Sequence, residues 1–221
     1  MKIVRNSIVV VAALLLAGMA VAQGGGGQRR GGFGGMMNDA GSMLQRTDVK
    51  EELKLSDDEL AKVKDVSTKV NSERQEMFQA ARDSGDFQSA MTGMVKKMPE
   101  WEKQYFGAIS ADHLKRLKQL MVQRSGNQIV LDANFQGDLG ITDAQKTKLT
   151  DLQTKSREAM MSLGQKVRDQ EMTMEELQTA MKKNTEVMDT EIGKILTDAQ
   201  RSKLKDMAGA PFKFVDNSGG I

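Results

Sequence analysis

The chain has no cysteine, one histidine, two prolines, one tryptophan and one tyrosine in 221 residues. Each scarcity excludes something. Without cysteine there is no disulfide, no thiolate nucleophile and no Cys-ligated metal. The lone His113 cannot form a Cys–His pair or a zinc or nickel cluster. A Ser–His–Asp triad would have to recruit it from a helix start, so catalysis is the least supported class and no cofactor is expected. Glycine-rich stretches do not follow a strand pattern, which removes the nucleotide-binding reading. Few prolines leave long stretches in which a helix need not be interrupted.

Charge is equally uninformative as a signpost to nucleic acid. There are 32 basic and 30 acidic residues. Lys2 and Arg5 lie at the N-terminal end, and Arg29 and Arg30 lie in a glycine-rich stretch. The remaining body is slightly acidic and carries no basic footprint.

Residues 1–22 read as a cleaved signal peptide. Lys2 and Arg5 form a charged start, Ile8 to Ala17 an apolar stretch, and Ala20-Val21-Ala22 a small-residue cleavage site before Gln23. The apolar stretch is short for a membrane span. The expected location is therefore exported, in a periplasm, with no stable membrane anchor after cleavage. Residues 23–42 are glycine-rich and are expected to form a disordered leader. Residues 210–221 are expected to be a flexible tail, within which Pro211-Phe212-Lys213-Phe214-Val215 can dock back in extended form.

What is abundant is Lys, Glu, Gln, Leu, Ala and 17 Met, a helix-forming composition. Four segments share one pattern: Leu55-Ser56-Asp57-Asp58-Glu59, Ile109-Ser110-Ala111-Asp112-His113, Ile141-Thr142-Asp143-Ala144-Gln145 and Leu196-Thr197-Asp198-Ala199-Gln200. Within pairs they are spaced by 54 and 55 residues, and between pairs by 86 and 87. The spacing predicts a tandem duplication. Ser or Thr followed three residues later by Glu or Gln is a capping box, so each segment predicts a helix start. The helix-capping residues are Ser56 with Glu59, Ser110 with His113, Thr142 with Gln145 and Thr197 with Gln200. His113 leaves its own box open.

An all-α fold follows, as elongated helical hairpins in two four-helix units, 43–126 and 127–209. One helix runs over 56–83, ending at Ser84-Gly85-Asp86, and Asp86 caps the next, with a kink or break expected at Pro99. At offset 86, Val130 matches Leu44, Phe135 matches Val49 and Leu139 matches Leu53. At offset 87, Met181 matches Met94, Met188 matches Trp101 and Ile192 matches Tyr105. Thr173 with Glu176 is one more capping box.

Leu-Thr-Asp-Ala-Gln at 196–200 matches the LTxxQ signature, and Ile-Thr-Asp-Ala-Gln at 141–145 nearly does. In an exported helical chain, two such motifs about 50 residues apart resemble the Spy/CpxP family. That family includes ATP-independent periplasmic chaperones, envelope-stress regulators and metal-responsive relatives. The resemblance implies intertwined helical hairpins with a concave face, here joined as a covalent pseudo-dimer that is a monomer or a homodimer of such chains. It implies unfolded or aggregation-prone exported proteins as partners, or a membrane sensor. The body lacks the basic cradle of the best-known family chaperone.

Candidate client-binding residues are Trp101, Tyr105, Met94, Met160, Met181 and Met188. The methionines have three readings: core filler, an adaptable contact surface, or thioether ligands for copper(I). The aromatics have two, core packing or an exposed anchor. The expected function is a chaperone-like or envelope-stress binding protein. The alternative is a regulatory or metal-responsive partner of a membrane sensor.

Overall fold

The computed structural model describes residues 39–215. The expected signal peptide, its cleavage point at Ala22–Gln23, residues 23–38 of the leader and residues 216–221 lie outside the described residues. Every regular element among the described residues is helical. In order they are α1 (Ala40–Gln45), α2 (Thr47–Leu53), α3 (Asp57–Ser84), α4 (Phe87–Gly107), α5 (Ala111–Ser125), a 3-10 turn (Gly126–Leu131), α6 (Ala133–Leu139), α7 (Asp143–Arg168), α8 (Met174–Ile195) and α9 (Asp198–Met207). Short, long, long and closing helices thus occur twice in succession.

Helix starts are set by side chains that satisfy the first free amides. Ser56, Thr142, Thr173 and Thr197 each form a reciprocal capping box with the third residue of their helices. Ser110 accepts from the His113 N–H, and Asp86 from the Ser89 N–H. Three helix ends use left-handed backbone. Gly85 ends α3 at φ 73° and Gly140 ends α6 at φ 65°. The residue 86 positions before Gly140 is Lys54, which ends α2 at φ 48°. A side chain in that region is disfavoured.

The expected break at Pro99 does not occur: α4 runs through it. Proline removes one helical hydrogen bond, the one to the carbonyl of Val95, and Val95 is exposed, where water can take its place. The next turn is pinned. Trp101, Glu102 and Tyr105 are all buried, and the Pro99 carbonyl accepts from Asn134 Nδ2 at 3.3 Å.

A single hydrophobic core joins both halves. At its centre lies α5, which buries Leu117, Leu120, Met121 and Val122 against α1, α2, the 3-10 turn and α9. Leu44 and Val130, Val49 and Phe135, and Leu53 and Leu139 are all buried, so residues matched by offset 86 do the same job. From this hub project two hairpins, α3 with α4 and α7 with α8. They become thin away from it. Beyond Val70, α3 buries only Ala81, and α7 buries only Leu149. Segments with so little buried apolar area open locally at low free-energy cost.

The disordered leader was expected to reach residue 42, but residues 40–42 are helical. Ala40 and Gly41 are buried in α1, which starts at an Asp39 cap. The reason is steric fit: Gly41 lies against the ring of Tyr105, where any Cβ would collide. The tail expected to be flexible from 210 is likewise fixed as far as Val215, and the docked alternative is the one found. Phe212 and Phe214 pack half-buried against the core.

Candidate functional site

The four motifs meet in pairs. In the second half, Gln145 Oε1 accepts from the Thr142 N–H at 3.0 Å, closing the box at the start of α7. Its Nε2 donates to Gln200 Oε1 at 2.7 Å and to the Ile195 carbonyl at 3.0 Å. Gln200 does the same in return. Its Oε1 accepts from the Thr197 N–H, and its Nε2 donates to Gln145 Oε1 and to the Gly140 carbonyl, each at 3.0 Å. Two helix starts are thereby locked together by one reciprocal pair of amides. An amide is required because each side chain must both accept and donate.

The first half builds the same crossing from different chemistry. Glu59 Oε2 accepts from the Ser56 N–H and Oγ, both at 2.9 Å. Glu59 Oε1 accepts from the Ser110 N–H at 2.7 Å and from His113 Nδ1 at 2.8 Å. An ionised carboxylate only accepts, so the Nδ1 of His113 carries the proton. The box left open at Ser110 is therefore closed by Glu59 from the other helix. Glu59 is buried. The Ser110 N–H above all, then His113 and the Ser56 N–H, hold its carboxyl far below the ordinary carboxylate range. His113 is thus a hydrogen-bond donor in a helix junction. These eight capping residues are structural latches.

A second recurring contact escaped the sequence reading. Glu102 Oε1 accepts from the Ala40 N–H at 3.2 Å, at the start of α1. At offset 87 stand Asp189 and Asn127, and Asp189 Oδ1 accepts from the Asn127 N–H at 3.0 Å, at the start of the 3-10 turn. Glu102 also accepts from Asn134 Nδ2 at 2.7 Å. Burial first, and then the neighbouring Asp132 carboxyl, push its pKa up to about 9. Glu102 is therefore protonated at neutral pH. The sequence signal was the coincidence of acids one residue after Trp101 and after Met188.

The proposed client-binding residues divide. Trp101 and Tyr105 are 2% and 5% exposed and Met188 is 7% exposed, so these three are core residues and cannot present a surface. Trp101 is held by its Nε1–H donating to Glu73 Oε2 at 2.7 Å and by the Arg74 guanidinium 5.0 Å above the ring. Tyr105 donates to Ser67 Oγ at 3.2 Å. Met94, Met160 and Met181 are half-buried. Met94 packs on the core.

Four of the exposed large apolar side chains lie toward the outer ends of the two hairpins. Phe78 near the end of α3 and Phe87 at the start of α4 are 42% and 53% exposed. They border a shallow depression of about 610 Å³ together with Gln75, Glu76, Gln79 and Arg82. On the other hairpin Met161 and Met174 are 53% and 59% exposed. Met174 joins Val167, Met172 and Thr173 around a second depression of about 410 Å³. Nothing in the sequence marked Phe78, and the signal for Phe87 was only its place directly after the Asp86 cap.

No protein-family model matches the chain, and no curated protein or solved structure does either. Among the described residues no group of three or more His, Asp or Glu is placed to hold a metal ion, and no helix is long and apolar enough to cross a membrane.

Proposed function

We propose that the protein is an exported, ATP-independent binding protein that holds unfolded segments of other proteins at the outer ends of its two helical hairpins. The observation that carries this reading is the placement of Phe78, Phe87, Met161 and Met174. All four are exposed toward the outer ends of the hairpins, and Phe78, Phe87 and Met174 line shallow depressions among Gln, Glu and Arg side chains. Aromatic and methionine side chains ringed by polar groups suit adaptable contact with many sequences. The hub bears the stability, so the hairpin ends are free to be apolar and mobile. The tandem relation of the two halves fits this reading, since it supplies two similar contact regions in one chain.

The test uses light scattering. A heat-stressed or reduced client is followed with and without the chain beginning at Gln23. Suppression at equimolar or lower ratio is expected. It should weaken when Phe78 and Phe87 are changed to Ser, and weaken further when Met161 and Met174 are changed to Gln. Scattering unchanged by excess protein, across several clients, sinks the proposal.

A further inference from the structure

The C-terminal segment is held in a way that identifies the groove beneath it. After α9, Gly209 turns the chain back at φ 62°. Ala210 to Val215 then run without regular structure across α5 and the start of α2. Exposure alternates along the segment: Pro211, Lys213 and Val215 are exposed, while Phe212 and Phe214 are half-buried. That period of two is the signature of an extended chain lying on a surface.

The contacts are made by side chains of the hub to the backbone of the segment. Gln123 Oε1 accepts from the Phe212 N–H at 2.8 Å, and Gln123 Nε2 donates to the Ala210 carbonyl at 2.8 Å. Arg116 Nη1 donates to the same carbonyl at 2.8 Å. Asp48 Oδ2 accepts from the Val215 N–H, and Arg46 Nη2 donates to the Val215 carbonyl, both at 2.8 Å. The rings are recognised separately. The guanidinium groups of Arg46 and Arg124 stand over the Phe214 ring, 5.5 and 5.2 Å from its centroid. Phe212 meets Phe214 edge-on at 5.0 Å. Asp48 is fixed for its task by a two-point ion pair with Arg46.

We infer that this groove is a binding site for extended segments of unfolded proteins carrying aromatic residues at positions i and i+2, and that the protein's own Phe212–Val215 occupies it as an internal stand-in. The occupant is read from the segment already seated there. Backbone groups supply most of the polar contacts, so little of the tail's identity is read beyond its two rings. In a folded protein, alternate aromatics form one face of a strand, usually buried. They are free only when that protein is unfolded. The groove residues stand on α5, on α2 and at the Arg46 cap of α2, elements that also bury Val49, Leu53, Leu117 and Leu120 in the core. Because the tail is tethered, its effective concentration is on the order of millimolar. Only a tighter or locally abundant segment displaces it.

This inference goes beyond the hairpin reading and does not rest on it, because the groove lies on the hub and is read out by direct peptide binding. The experiment is fluorescence anisotropy of a labelled Ala-Pro-Phe-Lys-Phe-Val peptide titrated with two full chains, the unaltered one and the F212A/F214A variant. The variant is expected to bind the peptide at least about tenfold more tightly, since its own tail no longer competes. A peptide with both Phe replaced by Ala is expected to show no binding. Changing Asp48 to Asn in the variant should weaken binding several-fold. Circular dichroism checks that the variant keeps its helicity, and where it does not, the F214A chain gives the same comparison. Equal binding to both chains, or binding to neither, overturns the inference. Client aggregation left unsuppressed by the unaltered chain, with peptide binding as expected, would overturn the hairpin proposal alone.

Discussion

Changing Glu59 to Gln removes one proton acceptor face from the first motif crossing. The carboxylate takes four donors: the Ser56 N–H and Oγ on one oxygen, and the Ser110 N–H and His113 Nδ1 on the other. An amide has one oxygen. It keeps one of these pairs and turns its NH2 toward the other, donor against donor. Each lost bond to a charged group is worth roughly 1.5–3 kcal/mol net. Ser56 and Ser110 are exposed, so the lower end applies and the loss is about 3 kcal/mol. For a chain of this size that lowers the melting temperature by roughly 6–12 °C. The second crossing shows how to rebuild what is lost. Changing His113 to Gln as well recreates the amide pair seen between Gln145 and Gln200. The double variant should recover at least half of the lost stability. Urea denaturation followed by circular dichroism measures all three variants as a double-mutant cycle. The pH dependence has a defined sign. The Glu59 carboxyl titrates lower in the folded chain than in the unfolded one. Its contribution is therefore full above the unfolded value near 4.5 and is lost as pH falls below it. The Glu59→Gln chain should lack that acid-side loss. A double variant no more stable than the sum of its two single changes would refute the reasoning.

Other outcomes follow from single features. Lys54→Gly relieves a side chain held at φ 48° and should stabilise by about 0.5–1 kcal/mol, while Gly140→Ala should cost about 1 kcal/mol, both read by urea denaturation. Glu102 titrates near 9 when folded and near 4.5 when unfolded. The folded chain thus holds a proton the unfolded chain has released, and stability should fall as pH rises between those values. Glu102→Gln should flatten that decline when unfolding midpoints are compared from pH 6 to 9. Trp101→Ala should cost about 3–5 kcal/mol, as expected for a buried ring. Phe78→Ser should change stability by no more than about 0.5 kcal/mol. Thermal unfolding separates the two, and equal losses would contradict their assignment to core and surface.

Much of the fold was readable because helix starts are local events. Ser56, Thr142, Thr173 and Thr197 needed only a partner three residues on, and all four boxes form. The match of Val130 to Leu44 and of Phe135 to Val49 was also readable, and all four are buried. What the motifs do to one another was not readable. Glu59 closes the box of Ser110 across 51 residues, and no local pattern distinguishes that from an isolated cap. The exposed site residues were misplaced for a related reason. Trp101 and Tyr105 stood out by rarity, but rarity says nothing of which side of α4 meets the hub. Phe78 and Phe87 were ordinary in sequence and became conspicuous only where α3 and α4 leave the core. The continuity of α4 through Pro99 also depended on partners, Asn134 among them, that only the folded chain brings near.

The most direct test of the central claim is the light-scattering trace of one aggregating client at equimolar protein, with the chain either unaltered or carrying Phe78→Ser, Phe87→Ser, Met161→Gln and Met174→Gln together. Circular dichroism first establishes that both are equally helical. The account predicts suppression by the unaltered chain and most of it lost in the variant. Equal suppression by both, or by neither, would contradict the assignment of client binding to the hairpin ends.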